Sequence, residues 1–211
     1  MMTKELTILG ASGHGKVIAD IAEQLGYKVK FYDDAYPSKK NIEHWLIQGT
    51  CSDLVALNKT NTKLTNDVVV AIGNNEIRQK KIQLLQKNNF NIITLTHPNA
   101  VISPYASLAS GTVVLAGAVV NAFAKIGVGC IINTSAVVEH DCSIDDFSHI
   151  CPNAALAGGV SVGVKSWVGI GCQVKQLITI GDNCIIGAGS TVINNIPNNT
   201  IAYGSPALPR T

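Results

Sequence analysis

Two histidines, His140 and His149, are the candidates for acid–base chemistry in the second half of the chain. His140 lies between two carboxylates, Glu139 and Asp141. A carboxylate beside an imidazole fixes its tautomer and raises its basicity, so this trio suits a general base. An unprotonated base of this kind can take a proton from an attacking nucleophile.

A glycine-rich turn near the start of the chain is a candidate anion site. The apolar run LTILG predicts a buried strand, the string ASGHGK follows it, and an apolar-periodic helix comes next. Backbone N–H groups and the helix dipole at such a turn favour a pyrophosphate. The spacing GxxGxG departs from the dinucleotide fingerprint GxGxxG, and many glycine turns serve packing alone. The turn therefore indicates a ligand without identifying it.

Strands and helices alternate through residues 1–98, which predicts a Rossmann-like α/β domain with a parallel sheet. Further strands are expected at residues 28–34, 67–73 and 91–97, with a helix at 75–87. Ligands bind at the carboxyl ends of such strands. The candidate substrate-binding residues at that edge are Gly13, His14, Gly15, Asp33, Asp34 and Gly73. A small sheet alone leaves no room for a conventional nicotinamide substrate domain, which disfavours a dehydrogenase.

A six-residue repeat organises the second domain, residues 99–211. From Ile102 to Val192 every sixth residue is Ile, Leu or Val, and the residue two places earlier is nearly always small. A helical period cannot keep such a row in phase, so the chain must turn a corner at each repeat. Three faces then close a coil of about eighteen residues. We expect turns where Gly follows the aliphatic residue: Gly127, Gly163, Gly169, Gly181 and Gly187.

This repeat is similar to that of the hexapeptide-repeat acyltransferases, whose parallel β-helix is left-handed. In such a coil Ala122 and Gly158 lie directly below and above His140, so the surface there lacks bulk and can admit a pantetheine arm. His149 lies half a coil away and faces a different direction. A site that uses both histidines needs a second subunit, so we expect a homotrimer with sites between subunits.

Composition excludes several classes of partner. The net charge is +2 and the basic residues are not clustered, so a nucleic-acid partner is not expected. The sequence has no apolar run of membrane-spanning length and does not begin like a signal peptide, so we expect a cytoplasmic protein. The six cysteines form no CxxC pair, and we expect reduced thiols.

Several strings together resemble the UDP-4-amino-sugar N-acetyltransferases of bacterial glycan synthesis: GASGHG, FYDD, AIGNNEIR, SAVVEHDC, FSH and GSPA. The resemblance covers essentially the whole chain. It implies acetyl-coenzyme A as donor and no metal, with His140 as general base. It further implies that Asp141, where the family more often has Glu, supports that base. By the same resemblance His149 contacts the coenzyme, Gly158 and Ile170 line its channel, and the six sheet-edge residues named above hold the nucleotide sugar.

The leading hypothesis is an N-acetyltransferase acting on the 4-amino group of a UDP-linked 4-amino-4,6-dideoxy-N-acetylhexosamine. An O-acetyltransferase of sialic acid or a related sugar is the first alternative, because the same architecture serves both reactions. A zinc hydratase of the γ-carbonic anhydrase type would need three convergent His ligands, and the repeat carries two. A β-helix that only binds, without catalysis, is the third alternative.

Overall fold

A computed structural model describes residues 4–60 and 67–210 of the protein. The chain divides into two compact units, Met1–Leu95 and Thr96–Thr211. No helix in the described ranges is long and apolar enough to cross a membrane. All six cysteines are buried free thiols.

The amino-terminal unit contains a four-stranded parallel sheet in the order β2-β1-β5-β6. In chain order its elements are β1 (Lys4–Leu9), α1 (Gly13–Gln24), β2 (Tyr27–Tyr32), β3 (Asn41–Ile42), β4 (Trp45–Leu46), α2 (Cys51–Thr60), β5 (Asp67–Val70), α3 (Asn75–Lys87) and β6 (Asn91–Ile92). Helix α1 forms because Ile18, Ile21 and Ala22 recur at helical spacing, and all three are fully buried.

Three strand predictions for this unit need correction. The strand expected at 67–73 ends at Val70. The strand expected at 28–34 ends at Tyr32, so Asp33 and Asp34 lie in the loop after it. The run at 91–97 forms two short strands, of which only β6 joins this sheet. The β3–β4 hairpin and α2 were not predicted. The helix predicted at 75–87 has these bounds in the structure. It begins there because Asn74 caps it by accepting a hydrogen bond from the N–H of Ile77.

The second unit is a parallel β-helix with three sheets of eight, six and five strands. The strands after β6 are two residues long up to β23, and β24 and β25 are three residues long. They are β7 (Leu95–Thr96), β8 (Val101–Ile102), β9 (Ser107–Leu108), β10 (Val113–Val114), β11 (Val119–Val120), β12 (Lys125–Ile126), β13 (Ile131–Ile132), β14 (Val137–Val138), β15 (Ser143–Ile144), β16 (His149–Ile150), β17 (Ala155–Leu156), β18 (Ser161–Val162), β19 (Trp167–Val168), β20 (Gln173–Val174), β21 (Thr179–Ile180), β22 (Ile185–Ile186), β23 (Thr191–Val192), β24 (Ile201–Tyr203) and β25 (Leu208–Arg210).

From Val101 to Val192 the coils contain eighteen residues each, as the repeat predicted, and the last coil contains sixteen, since Ile185 pairs with Ile201. Val113 pairs with Ile131, and Val119 pairs with Val137. The aliphatic row is buried from Val114 to Val192, while Ile102 and Leu108 in the first coil are only partly buried. The first coil is the end of the stack, so its inward residues have no further coil below them.

The expected turn position was wrong by two residues. Every sixth residue from Gly111 to Gly189 has a positive φ, so these positions make the corners. The glycines that directly follow the aliphatic row serve a different purpose. A Cβ on Gly127 would lie 2.7 Å from the backbone nitrogen of Asp146 in the next coil. Glycine is needed there because the coils approach closely.

Candidate active site

His140 and Asp141 form a hydrogen-bonded pair at a corner of the β-helix. Asp141 occupies a left-handed corner position with φ 59°, where Asp is one of the tolerated residues. His140 Nδ1 lies 2.8 Å from Asp141 Oδ2. An ionised carboxylate only accepts, so Nδ1 carries the proton and donates. The other ring nitrogen, Nε2, is left with a free lone pair, which is the state that a general base requires.

Electrostatics strengthen this base. The hydrogen bond to Asp141 is the largest cause that raises the pKa of His140, and the charges of Asp141 and Glu139 raise it further. Partial desolvation opposes them. Both side chains of the pair are 62% exposed, so solvent screens the interaction. The net effect is still a raised pKa of His140, which favours proton uptake at Nε2.

A groove of about 310 Å³ opens beside the pair. It is lined by His140, Asp141, Gly158, Gly159, Gln176 and Leu177. A Cβ on Gly158 would lie 2.6 Å from both Cε1 and Nε2 of His140. Only glycine at this position leaves the imidazole in place and keeps space over its reactive nitrogen.

The two glycines of the groove differ as hydrogen-bond donors. The Gly159 N–H donates to the carbonyl of His140 at 2.9 Å, as part of the bonding between coils. The Gly158 N–H makes no hydrogen bond within the described residues. Of the two, Gly158 is therefore the available donor for the oxygen of a thioester.

His149 and Ile170 do not line this groove. His149 lies on β16 directly before Ile150 and is 5% exposed. Its Nε2 lies 2.9 Å from Asn133 Nδ2, and its ring meets that of Trp167 edge-on with centroids 4.3 Å apart. Ile170 is exposed at another part of the coil. One chain therefore does not bring all the predicted coenzyme contacts to His140.

Asn133 was missed by the sequence analysis. It is sixteen residues before His149 and directly follows β13, which pairs with β16 in the stack. The amide can donate only from Nδ2, so the contact makes Nε2 of His149 an acceptor. The only available sequence signal was the coil spacing, which does not distinguish an asparagine that orients a histidine from one in a turn.

A second cleft, of about 240 Å³, lies at the carboxyl ends of the strands in the amino-terminal unit. Its lining is Leu9, Gly10, Ser12, Asp33, Asp34, Ile72, Gly73, Ile77 and Lys81. The Ala11 N–H donates to Asp33 Oδ2 at 2.6 Å, so this carboxylate holds the glycine-rich turn. Asp34 accepts from the Cys51 N–H at 2.9 Å and from Lys81 Nζ at 2.5 Å.

The other three predicted residues of this unit, Gly13, His14 and Gly15, do not line that cleft. A Cβ on Gly15 would collide with the carbonyl oxygen of Gly10, so Gly15 permits close packing of helix and turn. A Cβ on Gly13 would meet nothing within 4 Å.

His14 and Arg78 form a buried polar region behind the turn. Burial is the larger cause, and the charge of Arg78 the smaller one, that lowers the pKa of His14 to about 4. His14 is therefore neutral near pH 7, and its Nε2 has no hydrogen-bond partner within the described residues. Arg78, which the sequence analysis missed, donates to the carbonyls of Ile72 and Gly73 at 3.0 and 2.9 Å. The sequence signal that could have indicated Arg78 is the string AIGNNEIR, in which it is the last residue.

Within residues 4–60 and 67–210, no group of three or more His, Cys, Asp or Glu side chains is placed to hold a metal ion.

The comparisons with known proteins identify the family. Residues 5–85 match the model of the PglD N-terminal domain. Over nearly its full length the chain is similar to a variant of perosamine N-acetyltransferase from Caulobacter crescentus, solved with CoA and GDP-perosamine. The identity is 35%, the TM-score is 0.93, and the match covers 98% of this chain and 97% of that one. The chain belongs to the hexapeptide-repeat sugar N-acetyltransferases.

Two further relatives extend this result. The acetyltransferase domain of PglB from Neisseria gonorrhoeae FA1090, solved with acetyl coenzyme A, is 36% identical with a TM-score of 0.90, covering 99% of this chain and 100% of that one. UDP-N-acetylbacillosamine N-acetyltransferase from Bacillus subtilis is 39% identical over 117 residues, which are 54% of this chain and 52% of that protein. The protein is thus an acetyl-coenzyme A-dependent sugar N-acetyltransferase with the predicted left-handed β-helix, and the non-catalytic alternative is wrong.

Gly158→Ala should lower kcat/KM by roughly 10²-fold, because the new Cβ would push the His140 ring out of position. Steady-state kinetics at saturating and limiting acceptor measure the loss. The thermal midpoint should stay near that of the wild type, since the clash involves the end of one exposed side chain. Unchanged kinetics would show that the ring position seen here is not the reactive one.

Asp141→Asn should move the acid limb of the kcat/KM against pH profile to lower pH. Activity requires unprotonated His140 and is lost as the pH falls through its pKa. The variant removes the main cause that raises the pKa of His140, so the loss should occur at lower pH. The plateau rate should also fall, because the base is weaker. Glu139→Gln is the comparison, with a smaller shift in the same direction. An acid limb that does not move would exclude Asp141 as the tuning group.

Proposed function

We propose that the protein transfers the acetyl group of acetyl-coenzyme A to the amino group of a nucleotide-linked 4-amino sugar, with His140 as general base. The observation that carries this proposal is the 2.8 Å hydrogen bond between His140 Nδ1 and Asp141, which leaves Nε2 with a free lone pair. The absence of a Cβ on Gly158 keeps space beside Nε2. The setting is the cytoplasmic stage of bacterial surface glycan synthesis.

The reaction assigns a task to each group. Nε2 of His140 takes a proton from the acceptor amine as the amine nitrogen attacks the thioester carbonyl. The Gly158 N–H donates to the oxyanion that forms. The C–N bond is then complete, the C–S bond breaks, and the imidazolium returns the proton to the leaving sulfur. Asp141 stabilises the imidazolium between these steps.

The acceptor has two candidates. A UDP-linked 4-amino-4,6-dideoxy-N-acetylhexosamine is supported by the shared sequence strings and by the Bacillus subtilis relative. A GDP-linked perosamine is supported by the Caulobacter crescentus structure, which is similar over the whole chain. Both place an amine on a nucleotide-linked sugar, and they differ in the nucleotide base and in the sugar.

The cleft at Asp33, Asp34 and Gly73 is the proposed nucleotide site. Helix α1 begins at Gly13, and its N-cap Ser12 makes no side-chain capping hydrogen bond. The first N–H groups of the helix thus remain for a pyrophosphate. We assign Gly13, His14 and Gly15 to this turn, with Gly15 acting through packing. The neutral His14 adds a nitrogen that a ligand can satisfy without any change of charge.

His140→Ala should lower kcat by about 10²- to 10⁴-fold and leave the Kd of coenzyme A nearly unchanged, because it removes only the base. His44→Ala is the matched control, an exposed histidine on the β3–β4 hairpin, and should behave as the wild type. The assay offers UDP- and GDP-linked 4-amino sugars and their 4-hydroxy counterparts. Turnover of only the hydroxyl acceptors would replace this proposal by O-acetylation, and normal turnover of His140→Ala would remove His140 as base.

We further propose a homotrimer with sites between subunits, in which His149, Gly158 and Ile170 contact the coenzyme. The support is that His149 and Ile170 lie outside the groove that holds His140 in one chain. Sedimentation equilibrium should give about three times the chain mass of 22.2 kDa. A stable monomer at micromolar concentration would contradict the assembly.

A further inference from the structure

An exposed aromatic pair lies directly below the catalytic corner. Phe123 and Tyr105 are 59% and 69% exposed, and their rings stack with centroids 5.5 Å apart at 25°. Positions 105, 123 and 141 are eighteen apart, so the pair and Asp141 share one edge of the β-helix. Neighbouring parallel strands are about 4.8 Å apart, which places Phe123 one coil from Asp141.

The backbone of Phe123 argues that this side chain is not there for stability. Its φ is +64°, in the left-handed region that bulky residues avoid. Most equivalent corners hold Gly, Asn, Asp or Ser. Phe147 has the same conformation, but it is buried and gains contacts in return. Phe123 stacks on Tyr105 but stays 59% exposed, so it gains little from burial. Folding alone would therefore favour Gly or Asn at this corner, and strain of this kind points to function.

The space beside Phe123 suits part of a nucleotide sugar. Phe123, Lys125, Asp141, Cys142 and Ser143 line a depression of about 380 Å³. Asp141 also lines the His140 groove, so the two depressions share a wall. An aromatic face offers a flat apolar surface for a sugar ring, and the exposed Lys125 offers hydrogen-bond donors for sugar hydroxyls.

We propose that the Phe123–Tyr105 pair is the platform on which the pyranose ring of the acceptor stacks, holding its amine toward His140. This inference rests on the proposed function and names the residues that select the sugar. A deoxy sugar places its C–H face and methyl group against the ring, and Lys125 lies beside its hydroxyls. The coenzyme occupies the other depression, over Gly158 and Leu177, so donor and acceptor approach from opposite sides of Asp141.

The test is Phe123→Asn, because Asn adopts the left-handed conformation readily and the protein should fold at least as well. The KM of the nucleotide amino sugar should rise roughly ten-fold. The kcat at saturation, the Kd of acetyl-coenzyme A and the sedimentation mass should stay unchanged. Phe123→Tyr should retain a KM near the wild-type value, and Tyr105→Ala should raise KM less than Phe123→Asn does.

The control is Lys165→Asn, which also introduces Asn at a left-handed corner, elsewhere in the stack, and should leave KM unchanged. An unchanged KM in Phe123→Asn would overturn the platform. A rise in the Kd of the coenzyme would assign the pair to the donor, and a change of mass would make it a subunit contact; either result also overturns it. If the wild-type enzyme acetylates no nucleotide amino sugar, the proposed function itself is wrong. If the wild type is active and Phe123→Asn has an unchanged KM, only the platform is wrong.

Discussion

The eighteen-residue register between successive coils is the constraint on which the rest of this enzyme depends. Strand residues pair with partners one coil away, and the left-handed corner at every sixth residue returns the chain to that register. A slip by one residue would turn the whole aliphatic row outward. The same register stacks side chains in columns at each corner. The candidate groove follows from one column, in which His140 lies below Gly158 and no Cβ crowds the imidazole.

The interior of the β-helix is narrow, and its small residues do more than fill it. The Ser148 hydroxyl donates to the carbonyl of Gly163 at 2.7 Å and accepts from the Ser166 N–H, and the Ser166 hydroxyl donates to Gly181 in turn. Buried hydroxyls are thus satisfied by the backbone of neighbouring coils, which avoids the cost of unpaired polar groups. Cys172 takes part in the same way, with Sγ 3.0 Å from the carbonyl of Gly187.

Two carboxylates at the cleft of the amino-terminal unit also hold the protein together. Asp33 and Asp34 were predicted to bind the substrate, and in the structure both already accept hydrogen bonds from the protein. Asp33 fixes the glycine-rich turn, while Asp34 joins Lys81 to the start of α2. The hydrogen bond from Lys81, together with that from the Cys51 N–H, lowers the pKa of Asp34 despite its partial burial. Asp34 therefore stays charged near neutral pH. Because each carboxylate oxygen has two lone pairs, both side chains can bind the protein and a ligand together.

The sequence by itself determined the period of the β-helix, the inward row from Val114 onward, the bounds of α3 and the pairing of His140 with Asp141. These features depend on local spacing and capping, which a single sequence records. Only the tertiary structure decided that His149 is buried between Asn133 and Trp167, that Gly158 rather than Gly159 keeps a free N–H, and that Gly15 serves packing. Each depends on atoms brought together from other coils or elements, and burial and hydrogen-bond occupancy at such contacts leave no periodic trace in the sequence.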